Sequence, residues 1–211
     1  MNAPSMAYVA LAVLLGAHAA ANETDVIAVA RGFPDGGTYN KAWRGTGTPE
    51  EVAFRGQRIL SKGDGTYCCG FTFAVAMRVA EARGLLGDAT VGQVRSFQKA
   101  WYGATRENAE RQCADAVQML GIGEAIPLSR AKPGDFVQFW RQKSGHSVVL
   151  LELIEEGGAV VGFRYRSSQG RTDGVGDHTE YFSDAPQHGG SVNRARFYAA
   201  RLHPPKSGGR Q

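Results

Sequence analysis

A thiol and an imidazole can together break an amide bond, and this chain sets one of each where a secondary-structure element begins. In Tyr67-Cys68-Cys69-Gly70-Phe71 a cysteine precedes an apolar run that reads as a helix over residues 68–83. A thiol in the first turn of a helix meets free N–H groups and the positive end of the dipole, and both favour the thiolate. The same N–H groups can hold an oxyanion during acyl transfer. A base is also needed. His146, in Ser144-Gly145-His146-Ser147, opens the apolar strand Val148-Val149-Leu150-Leu151. Cys68 as nucleophile and His146 as general base are the candidate pair, one from a helix and one from a strand.

Two adjacent thiols leave a choice. Cys69 lies four residues before Phe73 and falls on the apolar stripe of the helix, where thiols are inert; Cys68 falls on a different face and is preferred. Both could instead be small packing residues, or a vicinal disulfide that would block the chemistry. Cys113 sits on the stripe Ala109, Cys113, Ala116, Val117, Leu120 of a further helix and reads as core. His178, His188 and His203 fall in polar late segments where nothing rigid places them, and His18 falls in a leader. No cysteine or histidine spacing suggests zinc, and no phosphate-cradling loop or dinucleotide fingerprint is present, so no cofactor is expected.

The elements that must bring the pair together divide into helices first and strands after. Thr48-Pro49-Glu50-Glu51 has the residues of a capped helix start and predicts a helix over 48–60. After the 68–83 helix, Asp88 or Thr90 starts another to Trp101, and a fourth spans 106–120. From Gly121 the period changes to two. Strands are predicted at 136–141, at 146–154 in the centre of the sheet, at 160–168 and at 196–202. Residues 170–192 read as a long polar loop, and 27–30 as a short strand or a docked arm. This is an α+β layout, with helices on one face of an antiparallel sheet.

Cys68-Cys69-Gly70-Phe71 resembles the Cys-Ser-Gly-Phe nucleophile motif of NlpC-type cell-wall peptidases. Lys132-Pro133-Gly134-Asp135-Phe136 resembles their Pro-Gly-Asp strand, and Ser144-Gly145-His146-Ser147-Val148-Val149 their histidine strand, which is also similar to that of CHAP amidases. The likeness covers about residues 60–170. It departs at Cys69, which stands where the family has Ser; aligning on Gly70 puts the nucleophile at Cys68. The resemblance implies a papain-like fold, hydrolysis of peptide or amide bonds in peptidoglycan, and a polar third catalytic residue from the next strand. On that strand Val161, Phe163, Tyr165, Ser167 and Gln169 share a face, and Arg164, Arg166 and Ser168 the other. Gln169, with an amide oxygen, could orient the imidazole, as could Ser167; Ser168, pointing with the arginines, is disfavoured. Tyr67, Trp140 and the 170–190 segment are candidates for the walls of a substrate groove.

Length and composition agree with one exported domain. The chain has 211 residues, 43% hydrophobic and 21% charged, with a net charge of +4 spread along it, so no nucleic-acid partner is expected. Residues 1–21 read as a signal peptide, with an apolar core at 7–15 and small residues at Ala17-His18-Ala19 and Ala19-Ala20-Ala21. An odd cysteine count in an exported protein leaves a free thiol. The expected organisation is a leader (1–21), an N-terminal arm (22–47), a papain-like catalytic domain (48–203) and a disordered tail (204–211). A monomer acting on peptidoglycan peptide or another amide is expected, with no membrane span after processing. An acyltransferase of transglutaminase type and a catalytically dead wall-binding module remain alternatives.

Overall fold

The structure, a computed structural model, describes residues 25–206; the expected leader and residues 207–211 lie outside them. The chain runs α1 (Val26–Arg31), β1 (Gly36–Gly37), β2 (Val52–Phe54), β3 (Gln57–Leu60), α2 (Cys68–Ala82), α3 (Val91–Trp101), α4 (Cys113–Leu120), β4 (Gly123–Ile126), β5 (Phe136–Trp140), β6 (Gly145–Glu156), β7 (Ala159–Gln169), β8 (Gly174–Tyr181) and β9 (Phe197–Leu202). Seven strands form one sheet in the order β1-β8-β7-β6-β5-β9-β4, antiparallel throughout, with β6 in the middle. The protein is therefore α+β, built on a large antiparallel sheet with few helices. No helix among the described residues is long and apolar enough to cross a membrane.

Both faces of the sheet are covered. On one, Phe136 and Val149 meet the helices, with Phe71, Phe73, Val75, Phe97 and Trp101 at the centre of the main core. On the other, Val137, Phe139, Val148, Leu150, Phe163 and Tyr165 close against Phe182, Val192 and Phe197. Helix α2 is buried from Gly70 through Met77, which its nearly unbroken apolar sequence requires. Asp135 of the Pro-Gly-Asp segment is buried. Its carboxylate accepts from Lys132 N–H at 2.8 Å and binds Arg201 of β9 at 2.7 and 2.8 Å, tying the turn before β5 to the neighbouring strand.

Several expectations are corrected. Residues 48–60 form no helix but the β2–β3 hairpin, with Arg55 and Gly56 both at positive φ (49° and 73°) as a two-residue turn demands. Val52 and Phe54 are buried and Ala53 exposed, a period of two. The supposed helix start is used otherwise: Thr48 Oγ1 donates to Ser61 O, and Glu50 pairs with Arg78 of α2. Residues 26–31 are a helix rather than a strand, capped by Asp25, whose Oδ1 accepts from Ala28 N–H. The fourth helix starts at Cys113, not 106, because Gln112 at φ 39° interrupts the helical path. Of the two possible starts for α3, Thr90 makes the capping box with Gln93.

The 170–192 loop contains β8, paired with β7 from Gln169↔Gly174 to Gly162↔Tyr181. Its Gly-Val-Gly-Asp-His composition has little strand propensity, and the β7 ladder imposes the extended form. Gly123–Ile126, a stretch to which the sequence assigns no strand, is the edge strand β4 on β9. The tail expected to be disordered from Pro204 is docked as far as Lys206, whose N–H donates to Arg83 O.

Candidate active site

Helix α2 begins at Cys68, with Tyr67 at the N-cap in an extended conformation and no side-chain cap. The first N–H groups are thus left to whatever approaches the helix tip. Thr72 Oγ1 donates to Cys68 O at 3.0 Å and accepts from the buried Trp101 Nε1 at 3.1 Å, which pins the first turn to α3.

The tip abuts the sheet where β6 and β7 part. Their pairing starts at Val149↔Arg166, so residues 145–148 and 167–169 are not laddered to one another. In that opening Ser167 Oγ donates to Ser147 O at 2.6 Å, and Thr66 Oγ1 bonds Ser168 Oγ at 2.7 Å. Cys68 faces this opening, close enough to His146 and to the Ser147 backbone for both to lower its pKa. The split lets a thiol carried on the helical side meet an imidazole on the opposite face, where the His146 ring packs between Phe139 and Tyr165 at 5.7 and 5.5 Å.

His146 is buried, and its Nε2 lies 3.3 Å from Gln169 Oε1. The Gln169 amide is oriented from behind: its Nε2 donates to Thr172 Oγ1 at 3.0 Å and to Gly176 O at 3.3 Å, and Thr172 in turn donates to Gly174 O at 2.6 Å. Both nitrogen-side partners accept, so the amide oxygen faces the imidazole. With Nε2 held by Gln169, Nδ1 is the nitrogen left for the thiol. Of the two candidates for the third position, Gln169 meets the imidazole, and Ser167 spends its hydroxyl on the sheet backbone.

The thiols are electrostatically unequal. A hydrogen bond from Cys69 holds the Cys68 thiol well below its ordinary range. Burial opposes this, and the hydrogen bond and charge of His146 reinforce it. Cys69 is driven the other way by that hydrogen bond, by burial and by the charge of Cys68, and its side chain packs against the main core. Cys113 is buried and pushed up to about 12, chiefly by desolvation. All three are free thiols.

His178 and His188 have partners of their own. His178 lies behind Tyr165 at 5.8 Å and has its pKa lowered by burial; His188 bonds Glu156 and stacks on Tyr181. Tyr67 is a buried clamp, its hydroxyl donating to Gly45 O, and the half-buried Trp140 donates to Glu110 O. A cleft of about 450 Å³ does open beside Tyr165, lined by Arg141, Arg171, His178 and Glu180. Arg141 pairs with Glu180, which also accepts from Tyr165 Oη at 3.1 Å.

Sequence reasoning missed Thr172, Thr66 and residues 38–47. That strap crosses the helix tip: Thr66 N–H donates to Thr38 O, Asn40 N–H to Thr66 O, and Tyr67 N–H to Gly47 O. Its signal was backbone cost rather than composition. Thr38, Trp43, Gln112 and Asp173 are four of the five non-glycine residues at positive φ among the described residues, and all lie in the strap or in segments bonded to the strap or to Ser147. Asp173 Oδ1 accepts from Tyr39 N–H, and Gln112 Oε1 lies 3.2 Å from Ser147 Oγ. Each such conformation costs about 1–2 kcal/mol and persists only where the surroundings hold it.

The class that fold and site define is an α+β protein with a thiol, an imidazole and an amide converging at a helix tip. No protein-family model matches the chain, and no curated protein or solved structure matches it significantly.

Proposed function

We propose that this protein is an exported cysteine hydrolase of papain-like fold that cleaves peptide or amide bonds of peptidoglycan. The observation that carries the reading is the line Cys68, His146, Gln169, with Thr172 fixing its far end. The Cys68 thiolate attacks the amide carbonyl, and the N–H of Cys68 together with the helix dipole receives the oxyanion. As the C–N bond breaks, His146 gives its proton to the leaving amine. His146 then takes a proton from water, the resulting hydroxide attacks the thioester, the C–S bond breaks, and the thiolate is restored. Gln169 holds the ring so that Nδ1 faces the sulfur throughout. The resemblance of three motifs, in order, to wall peptidases supports the choice of substrate.

The test is digestion of purified sacculi, with released muropeptides read by mass spectrometry. Cys68→Ala and His146→Ala are expected to abolish release, and Gln169→Ala to lower kcat/KM about 10²-fold, the loss that misplacing a catalytic group brings. A product carrying an added amine in place of water's oxygen would identify an acyltransferase. An intact, folded protein whose three thiols label alike, with no muropeptide released, would refute the hydrolase.

A further inference from the structure

The strap over the helix tip carries a feature that the chemistry at Cys68 does not use. Trp43 is 68% exposed, and Met119 of α4 is the only other large apolar side chain so exposed among the described residues. Single exposed apolar residues are common, but this one is held in place. Its backbone is in the left-handed region (φ 51°), its N–H donates to Asn40 O at 3.2 Å, and Asn40 Nδ2 donates to Arg44 O at 2.8 Å across the loop. The indole Nε1 donates to Tyr39 Oη at 3.0 Å. The Tyr39 ring in turn lies beside Gly170, next to Gln169. The edge of the indole is thus fixed to Tyr39, whose ring lies beside the end of β7, and the residue is largely open to solvent.

We infer that Trp43 is a stacking platform for a sugar ring of the glycan that carries the scissile peptide. The choice of polymer rests on the hydrolase reading above; the platform itself rests on the indole. An apolar peptide would need several apolar side chains around it, whereas the neighbours here are Lys41 and Arg44, both exposed and without an ion-pair partner among the described residues. A sugar ring presents C–H groups to one aromatic face and hydroxyls or carboxylates to flanking cations, which is the chemistry this loop offers. A pre-ordered platform loses little entropy on binding and lets contact remote from the scissile bond position the amide.

The probe is the N-acetylglucosamine tetramer, added to the Cys68→Ala protein so that binding is read without turnover. The indole N–H signals of the three tryptophans are followed by NMR, with Trp43 assigned from Trp43→Phe. A saturable shift at Trp43, with buried Trp101 unmoved, is expected by a sugar concentration of about 10 mM, where even a millimolar site is mostly filled. In a sacculus pull-down, Trp43→Ala is expected to bind at least about 5-fold more weakly, about 1 kcal/mol, and Trp43→Phe to recover much of the loss. No shift with the tetramer, a shift only with an apolar peptide, or undiminished pull-down by Trp43→Ala would each overturn the platform. Sugar binding at Trp43 without any cleavage of sacculi by the wild type would instead sink the hydrolase and leave the platform standing.

Discussion

At the scale of single residues, the two adjacent cysteines are separated by their partners rather than by their type. Cys69, His146 and the Ser147 backbone all pull the Cys68 pKa down, whereas Cys69 is pushed up and stays protonated. A depressed pKa means that Cys68 keeps its reactivity as pH falls through the ordinary thiol range and loses it only below its own lower value. An unperturbed thiol at about pH 6.5 is roughly 1% thiolate. Iodoacetamide at that pH is therefore expected to label Cys68 well ahead of Cys69 and Cys113, as read by peptide mass spectrometry. His146→Ala and Cys69→Ala should each move the Cys68 profile to higher pH. Three thiols rising together near pH 8.5 would contradict the assignment.

Among elements, the meeting of α2 with the strap explains a motif residue that pattern alone leaves unexplained. A methyl group at Gly70 would overlap the carbonyl of Gly47. Glycine therefore lets the helix and the 46–47 backbone touch, and Tyr67 N–H and its hydroxyl clamp the same stretch. Two effects of Gly70→Ala oppose each other. Alanine is the better helix former by about 1 kcal/mol, and overpacking a closed contact costs about 1–3 kcal/mol. Because the contact is backbone on backbone and cannot rotate away, the loss should win. The expected net is up to about 2 kcal/mol of destabilisation in urea melts, with slower alkylation of Cys68 as the tip shifts. A stabilised Gly70→Ala would show that the strap yields instead.

For the molecule as a whole, one buried cation joins the N-terminal arm to the sheet. Arg166 is 4% exposed on the helical face of β7 and binds Ala30 O, Phe33 O, Asp35 and Asp177 at 2.6–3.0 Å. The arm so fixed leads into β1 and the strap over the active site. Asp35 is largely solvated and would rehydrate if released, so the main loss from Arg166→Leu is Phe33 O without a donor, Ala30 O left with the long bond from Phe33 N–H (3.4 Å), and Asp177 left with Arg31 alone. That amounts to about 2 kcal/mol. Limited proteolysis is expected to cut within residues 25–45 of the variant while the remaining domain resists, and activity should fall with the loosened strap. Uniform digestion of the variant would mean that Arg166 supports the whole fold rather than the arm.

Much of the site is legible in local chemistry. A helix headed by Cys68, a central strand opened by His146, and the parity that sets Gln169 and Ser167 on one face of β7 all follow from apolar periodicity and the preferences of helix ends, which act over a few residues. The choice of Gln169 over Ser167, the split between β6 and β7, the β8 strand with its poor propensity, and the strap with Trp43 depend on neighbours distant in sequence. The Thr48-Pro49-Glu50 signal misled for the same reason: Glu50 is held by Arg78 and Thr48 by Ser61, contacts outside the reach of a local pattern. Periodicity determines which faces are buried. Only tertiary packing decides which polar groups meet in the gap, because each of those bonds closes a long loop and forms only when the rest of the fold has brought its ends together.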